Sequence, residues 1–268
     1  MIELSRRDLL RSLVAGGVQV AIPGAAAALA PAALAASATG AGPALTWDED
    51  APAPRERLLC DFGWRFHFGH ADDPARDFNF GTFQRTYAKA GKDTADAALP
   101  GFDDSRWDAI DLPHDWAVAL PPRQDPASAS ILVDDPAAAH GYKPLGRNDP
   151  QTSIGWYRRE LEIPADDLGK RICLEFDGVF RDCIVFCNGH IVGRNGSGYC
   201  GFEVDLSDVL DYGKRNVIAV RVDATLGEGW FYEGAGIYRH VWLRKTDALH
   251  VPLDGVFVRS PWQGGAAQ

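Results

Sequence analysis

From Trp156 to Ile163 the chain reads WYRRELEI, with Tyr157, Arg159, Leu161 and Ile163 on one parity and Trp156, Arg158 and Glu160 on the other. Alternation with a period of two belongs to an extended strand, whose successive side chains face opposite ways. The rhythm recurs. Ile172, Leu174 and Phe176 share one face of a further segment, and Ile218, Val220 and Val222 oppose Val217, Ala219 and Arg221 in a strand expected to be half-buried. Ile237, Arg239, Val241 and Leu243 alternate with Tyr238, His240, Trp242 and Arg244 and predict a last strong strand. No segment keeps a period of 3.6 over a dozen residues. Short strands without a βαβ rhythm predict an all-β chain, a two-sheet antiparallel sandwich of jelly-roll type.

The connections fit such a fold. Ile184 to Cys187 runs into Asn188-Gly189, a pair that tolerates positive φ at both centres of a type I′ turn, and His190 to Val192 supplies the returning strand. DLSDVLDYGKRN is expected to form one helical turn, capped by Asp205 and ended by Gly213. Gly196-Ser197-Gly198 reads as a hairpin loop.

Lys and Arg number 27 against 37 acids, a net charge of −10, which argues against a partner held by its phosphates. Residues 1–35 resemble a twin-arginine export signal. Arg6-Arg7 precedes a stretch from Ser12 to Trp47 without charge, and Ala33-Leu34-Ala35 offers small residues around a cleavable bond. A retained anchor is the rival reading. The stretch is broken by Gly16, Gly17, Pro23, Gly24 and Pro31, whereas a spanning helix needs about 20 apolar residues in a row. The expected location is periplasmic or secreted, with no membrane span after cleavage. Residues 36–54 read as a linker. Export permits disulfides, but the five cysteines, Cys60, Cys173, Cys183, Cys187 and Cys200, are an odd number with no metal-binding spacing. Cys183 and Cys187, four strand steps apart, lie roughly 13 Å from one another, too far to bridge. Small apolar fillers of a β core are the favoured reading.

Five blocks in series carry a family resemblance: LLCDFGWRFHFG (58–69), FDDSRWDAIDLPHDW (102–116), GWYRRELEI (155–163), the segment from Phe176 to Leu210 around the Asn-Gly turn, and WFYEGAGIYRHVWL (230–243). Together they resemble the amino-terminal sugar-binding domain, galactose-binding-like in fold, of family 2 glycoside hydrolases, most closely the β-galactosidase branch. The resemblance implies a jelly roll over residues 55–247 and, in HVPLDGVFVRS, the start of an immunoglobulin-like second domain over 248–268. It also implies a later (β/α)₈ barrel, partner to the jelly roll, that cleaves terminal β-galactosides with retention. Retention takes two carboxyl groups about 5 Å apart. In the family both are glutamates of the barrel, one following an Asn; this sequence has no Asn-Glu dipeptide, and 21 residues follow Asp247 where a barrel takes about 250. The chain is therefore expected to stop before the catalytic machinery, with no catalytic residue of its own.

Adjacent acids, Asp103-Asp104, Asp134-Asp135 and Asp166-Asp167, point to opposite faces in extended chain and read as loop charge or caps. There is no G-x-S-x-G nucleophile elbow. The resemblance places the loop Thr225–Tyr238 at the edge of the barrel's pocket, where several branches carry an Asp six residues before the Gly of the G-I-aromatic-R block. Here that position is Trp230, whose indole suits stacking on a pyranose, with Glu228 and Glu233 nearby for hydroxyl contacts. Trp230, Phe231 and Tyr232 sealing a domain interface is the equal alternative. His114 and Asp115, after Pro113, are the second candidates, as sugar contacts or as a structural clip. Arg239, on an inward parity, is expected to be buried with Asp177 or Asp182 as partner, and Trp107, Trp156 and Trp242 to be core or interface aromatics. No cofactor and no metal site is expected. The reading is a sugar-binding domain whose partner is a β-galactoside or related saccharide. The rivals are a free-standing, lectin-like carbohydrate-binding protein and a structural domain that only docks onto its barrel.

Overall fold

The computed structural model describes residues 55–81, 95–122, 143–226 and 234–260, together with the backbone of Trp262–Gln263 and Ala266–Ala267. The expected export signal and linker, Asp134-Asp135, Glu228, Trp230 and Glu233 lie outside the described residues.

Two antiparallel sheets form a sandwich. The smaller contains β1 (Arg55–Leu59), β10 (Val241–Thr246), β5 (Arg171–Phe176) and β8 (Phe202–Asp205), in that order across the sheet. The larger runs β3 (Asp108–Ile110), β2 (Trp64–Phe68), β4 (Ile154–Ile163), β9 (Lys214–Asp223), β6 (Cys183–Cys187) and β7 (His190–Asn195). At its centre β4 and β9 pair along their whole length, with Tyr157 opposite Val220. A further two-residue hairpin joins β11 (Trp262–Gln263) to β12 (Ala266–Ala267).

The alternation seen in the sequence decides what lies between the sheets. Tyr157, Leu161 and Ile163 of β4 meet Ile172, Leu174 and Phe176 of β5, with Ile218, Val220 and Val222 of β9 and Leu243 of β10 in the same core. The opposite face of the large sheet is also covered. Ile154, Trp156, Ile184, Phe186 and Ala219 pack beneath Ala95, Ala97, Ala98 and Trp107, joined by Phe78 and Phe102. Strand β9 is therefore buried on both faces rather than half-buried, because the segments before and after the 3-10 turn Asp96–Ala98 form a third layer.

Burial of that outer face explains its two arginines. Arg221 sits on Asp77 at 2.9 Å, and Asp77 also accepts from the Trp156 indole N–H at 2.6 Å. Arg158 pairs with Asp104 at 2.8 Å and donates to the carbonyls of Ala97 and Leu99. A guanidinium taken out of water needs such partners. Trp107 and Trp156 are core residues as expected, while Trp242 is half-buried, with the Arg57 guanidinium 3.7 Å from its ring centre.

One connection is as expected and three segments depart from expectation. Asn188 (φ 50°) and Gly189 (φ 83°) do close the β6–β7 hairpin. The DLSDVLDYGKRN connector, however, forms turns rather than a helical turn: Asp205 Oδ1 accepts from Ser207 N, and the Asn216 side chain holds Asp211 from both sides. Gly196–Gly198 carries the chain from the large sheet to the small one instead of closing a hairpin; Gly193 admits Val204 there, where a Cβ would lie 2.3 Å from a Val204 methyl. The last strand begins at Val241, not Ile237. Gly236, at φ 114°, breaks the alternation, so Arg239 is exposed and donates to the Asp177 carbonyl. No carboxylate pairs with it among the described residues.

All five cysteines are free thiols; Cys60, Cys173, Cys183 and Cys187 are buried and Cys200 is exposed. Burial pushes the thiols of Cys183 and Cys187 up to about 12, so they behave as apolar filler. No helix among the described residues is long and apolar enough to cross a membrane.

Candidate functional site

The loop singled out by the sequence leaves the sandwich after Thr225 and returns at Gly234. Its central residues, Glu228, Trp230 and Glu233 among them, lie outside the described residues; its two feet do not. At the departing foot Asp223, at the end of β9, accepts from Thr225 N at 3.1 Å and Thr225 Oγ1 at 2.6 Å, and Ala224 N donates to the Ser153 carbonyl. Ser153 is buried and its hydroxyl bonds Gly146 and Asp149, so the 146–153 turn is fixed to the same foot.

The returning foot is held by the LPHDW block. Asp115 caps the helical turn Trp116–Ala119: its Oδ1 accepts from Ala117 N and, at the same distance of 2.9 Å, from Ala235 N. One short carboxylate thus satisfies a helix terminus and a loop end together. On either side Trp116 N donates to the Ala235 carbonyl and His114 N to the Ile237 carbonyl. Gly236 exchanges two backbone bonds with Phe180. Only glycine serves at Gly236, since a Cβ would sit 2.2 Å from the Tyr157 hydroxyl and 2.6 Å from the His114 carbonyl.

His114 is half-buried beneath this foot. Its Nδ1 lies 2.9 Å from the Tyr157 hydroxyl, which accepts from Ile237 N at 3.4 Å, and its ring packs 4.8 Å from that of Phe66. Burial pulls the imidazole below its ordinary value despite Asp115 and Asp108. Trp116 completes the cluster, its indole N–H on the Thr152 carbonyl and its ring over Gly155. Asp115 Oδ1 directly, and His114 Nδ1 through the Tyr157 hydroxyl, thus bond to the returning foot of the loop.

Three of the adjacent acids have clear partners. Asp103 accepts from Ser105 N, and bonds from Ser105 hold its carboxyl below the usual range. Asp104 serves Arg158 and, at 3.5 Å, Arg65. Asp167 lies 2.6 Å from Lys245 and 2.8 Å from Lys170. Among the described residues no group of three or more His, Cys, Asp or Glu is placed to hold a metal ion. Sequence reasoning missed two polar anchors, Asp61 on His240 at 2.6 Å and Asp77 on Arg221; the arginine alternation signalled only that an acid was needed.

Residues 83–247, more than half of the chain, match the family model described as glycosyl hydrolases family 2, sugar binding domain. The chain belongs to that family. Family 2 relatives include a β-galactosidase of Bacteroides ovatus, 35% identical over 207 residues, which takes in 77% of this chain and 20% of the relative. A β-glucuronidase of Bacteroides fragilis is 32% identical over 54% of this chain and 19% of its own length. Among solved structures, a family 2 member from Bacteroides cellulosilyticus aligns with a TM-score of 0.55 and 31% identity over 77% of this chain and 22% of that one. A β-glycosidase from Bacteroides vulgatus gives 0.56 and 29% over 78% and 22%. The chain spans about a fifth of the length of these family 2 relatives. Its sandwich is a family 2 sugar-binding domain.

Proposed function

We propose that this chain is the saccharide-holding part of an exported, retaining β-galactoside hydrolase, and that bond cleavage falls to portions of such enzymes outside the fifth that it matches. The loop between Thr225 and Gly234 presents Trp230 to the apolar face of a galactosyl ring, and Glu228 and Glu233 accept from its hydroxyls. His114 and Asp115 contribute by holding the loop's returning foot. What carries this reading is the double anchoring, Asp223 with Ser153 at one foot and Asp115 with Tyr157 at the other: a loop so fixed at both ends limits the ordering entropy that binding must overcome. The lack of an Asn-Glu dipeptide supports the expectation that the cleaving carboxylates lie elsewhere, and Asp103, Asp104 and Asp167 are engaged with backbone N–H, arginine and lysine groups. Arg6-Arg7 and the uncharged stretch behind it support a periplasmic or secreted location.

The test is calorimetric titration of the full chain with methyl β-galactoside, alongside turnover of a chromogenic β-galactoside. Weak binding is expected, with a dissociation constant on the order of millimolar, about −4 kcal/mol, lost in Trp230→Ala, and no turnover. Turnover by the purified chain, or affinity unchanged in Trp230→Ala, overturns the reading.

A further inference from the structure

Five asparagines occur in the chain, and two of them, Asn188 and Asn195, are followed by glycine. Such a pair is open to a reaction of the polypeptide with itself. Glycine lacks the Cβ that would shield its backbone nitrogen, so that nitrogen can approach the carbonyl carbon of the preceding carboxamide. Attack within one molecule is fast only where the reacting atoms can meet in a productive orientation. The fold treats the two pairs oppositely. Asn188, in the β6–β7 turn, is pinned: its Nδ2 donates to the Val209 carbonyl at 3.0 Å and to Asn216 Oδ1 at 2.8 Å, and its Oδ1 accepts from Val217 N at 3.0 Å. These partners belong to β9 and to the connector before it, and Gly189 is buried. Swinging the carboxamide onto Gly189 N breaks all three bonds at once, each a net loss.

Asn195 ends β7, and the chain beyond it crosses from the large sheet to the small one, joining no ladder before Phe202. Its carboxamide bonds within that crossing: Oδ1 accepts from Ser197 N at 3.3 Å and Nδ2 donates to the Ser197 carbonyl at 2.9 Å. Both bonds fold the group back over its own backbone, along the Gly196–Ser197 peptide. Gly196 is exposed, and its N–H has no backbone partner among the described residues. Nothing lies within 4 Å of the place its Cβ would take. Nucleophile, carboxamide and solvent therefore meet at Asn195, whereas at Asn188 the carboxamide is tied down.

We propose that Asn195 is a site of spontaneous deamidation in the folded protein and that Asn188 is protected from it. Gly196 N gives its proton to water or hydroxide and bonds to Asn195 Cγ; the Cγ–Nδ2 bond breaks, and Nδ2 takes up a proton and leaves as ammonia. Water then opens the resulting succinimide at either carbonyl, leaving aspartate or, with the main chain lengthened by a methylene, isoaspartate. No electrons are exchanged. The altered residue stands next to a tight contact: the Gly198 carbonyl accepts from the Tyr238 hydroxyl at 2.8 Å, and a Cβ on Gly198 would lie 2.3 Å from the Phe180 ring. The proposal does not rest on the galactoside reading of the Trp230 loop.

Incubation of the full chain at mildly alkaline pH, followed by mass spectrometry of its tryptic peptides, decides the matter. Cleavage after Arg181, Arg194 and Lys214 puts the two sites on separate peptides, 182–194 and 195–214. In the folded protein Asn195 is expected to convert at least about tenfold faster than Asn188, a ratio that corresponds to about 1.4 kcal/mol of barrier. In urea, where the bonds of Asn188 are gone, the two rates should converge. Gly196→Ala places a methyl in open space at a backbone angle outside the left-handed region, so its melting curve should match that of the native chain. Conversion of Asn195 should nevertheless slow at least about tenfold in that variant, because the attacking nitrogen is shielded. Equal rates at the two sites in the folded chain, or a rate at Asn195 untouched by Gly196→Ala, overturns the proposal. So does an Asn195 that stays intact in the folded chain while the urea-unfolded chain converts, or a tenfold difference that persists in urea and so owes nothing to the fold.

Discussion

Asp77 shows how much one side chain contributes when a sheet is covered on both faces. It is 2% exposed, accepts from Trp156 and Arg221, and is raised by burial against the pull of Arg221. Asp77→Ala leaves that guanidinium without its acid and is expected to cost about 3–5 kcal/mol in denaturant unfolding; a loss below about 1 kcal/mol would mean that solvent reaches the pair. His114 gives a pH dependence. Its folded value lies below the ordinary 6.5, so the unfolded chain takes up the proton first as the solution is acidified. The stability it confers is full above about pH 6.5 and declines as the pH falls from there toward the folded value. Unfolding curves at pH 7.5 and 5.5 are expected to show that loss in the native chain and a smaller one in His114→Asn. The residue pattern made the arginines of β4 and β9 visible but not their acids, because Arg221 and Asp77 are 144 positions apart. Nothing local in a sequence marks such a pair.

Among the elements, those set by alternation and by turn chemistry were legible. Asn188-Gly189 announced its own geometry, and Gly189→Ala, at φ 83°, is expected to cost about 1–2 kcal/mol, measurable as a lower melting temperature. Gly236→Ala should cost more, since the added carbon meets both Tyr157 and His114 within 2.6 Å. A chain that accepts it with less than about 1 kcal/mol of loss would show that the returning foot can shift. Elements decided by distant partners were misread. The connector after β8 looked helical because Asp205 and Gly213 fit its ends, yet the Asn216 side chain satisfies its backbone instead. Ile237 to His240 carried a strand's alternation, but the bonds of Ala235, Gly236 and Ile237 go to Asp115, Phe180 and Tyr157 rather than to a ladder.

Across the whole molecule the sandwich followed from the period-two segments, whereas the third layer, built from Ala95 to Ala98, Trp107 and Phe78, did not. Those residues have no periodicity of their own and are recognisable only once the face beneath them exists. Phe186→Ala, beneath that layer and stacked on Trp156, is expected to lose about 3–5 kcal/mol. By contrast Leu249, Val256, Phe257 and Val258 are each at least 70% exposed. A variant ending at Asp247 should therefore melt at the same temperature as the full chain; a clear drop would show that these residues brace the sandwich.

The unbridged thiols have a practical consequence. With Cys60, Cys173, Cys183 and Cys187 buried as plain filler and Cys200 unpaired, reaching the native shape requires no oxidant and no shuffling enzyme. Such a protein can mature fully in the reducing interior of the cell that makes it, and dithiothreitol in the purification buffer should leave it intact.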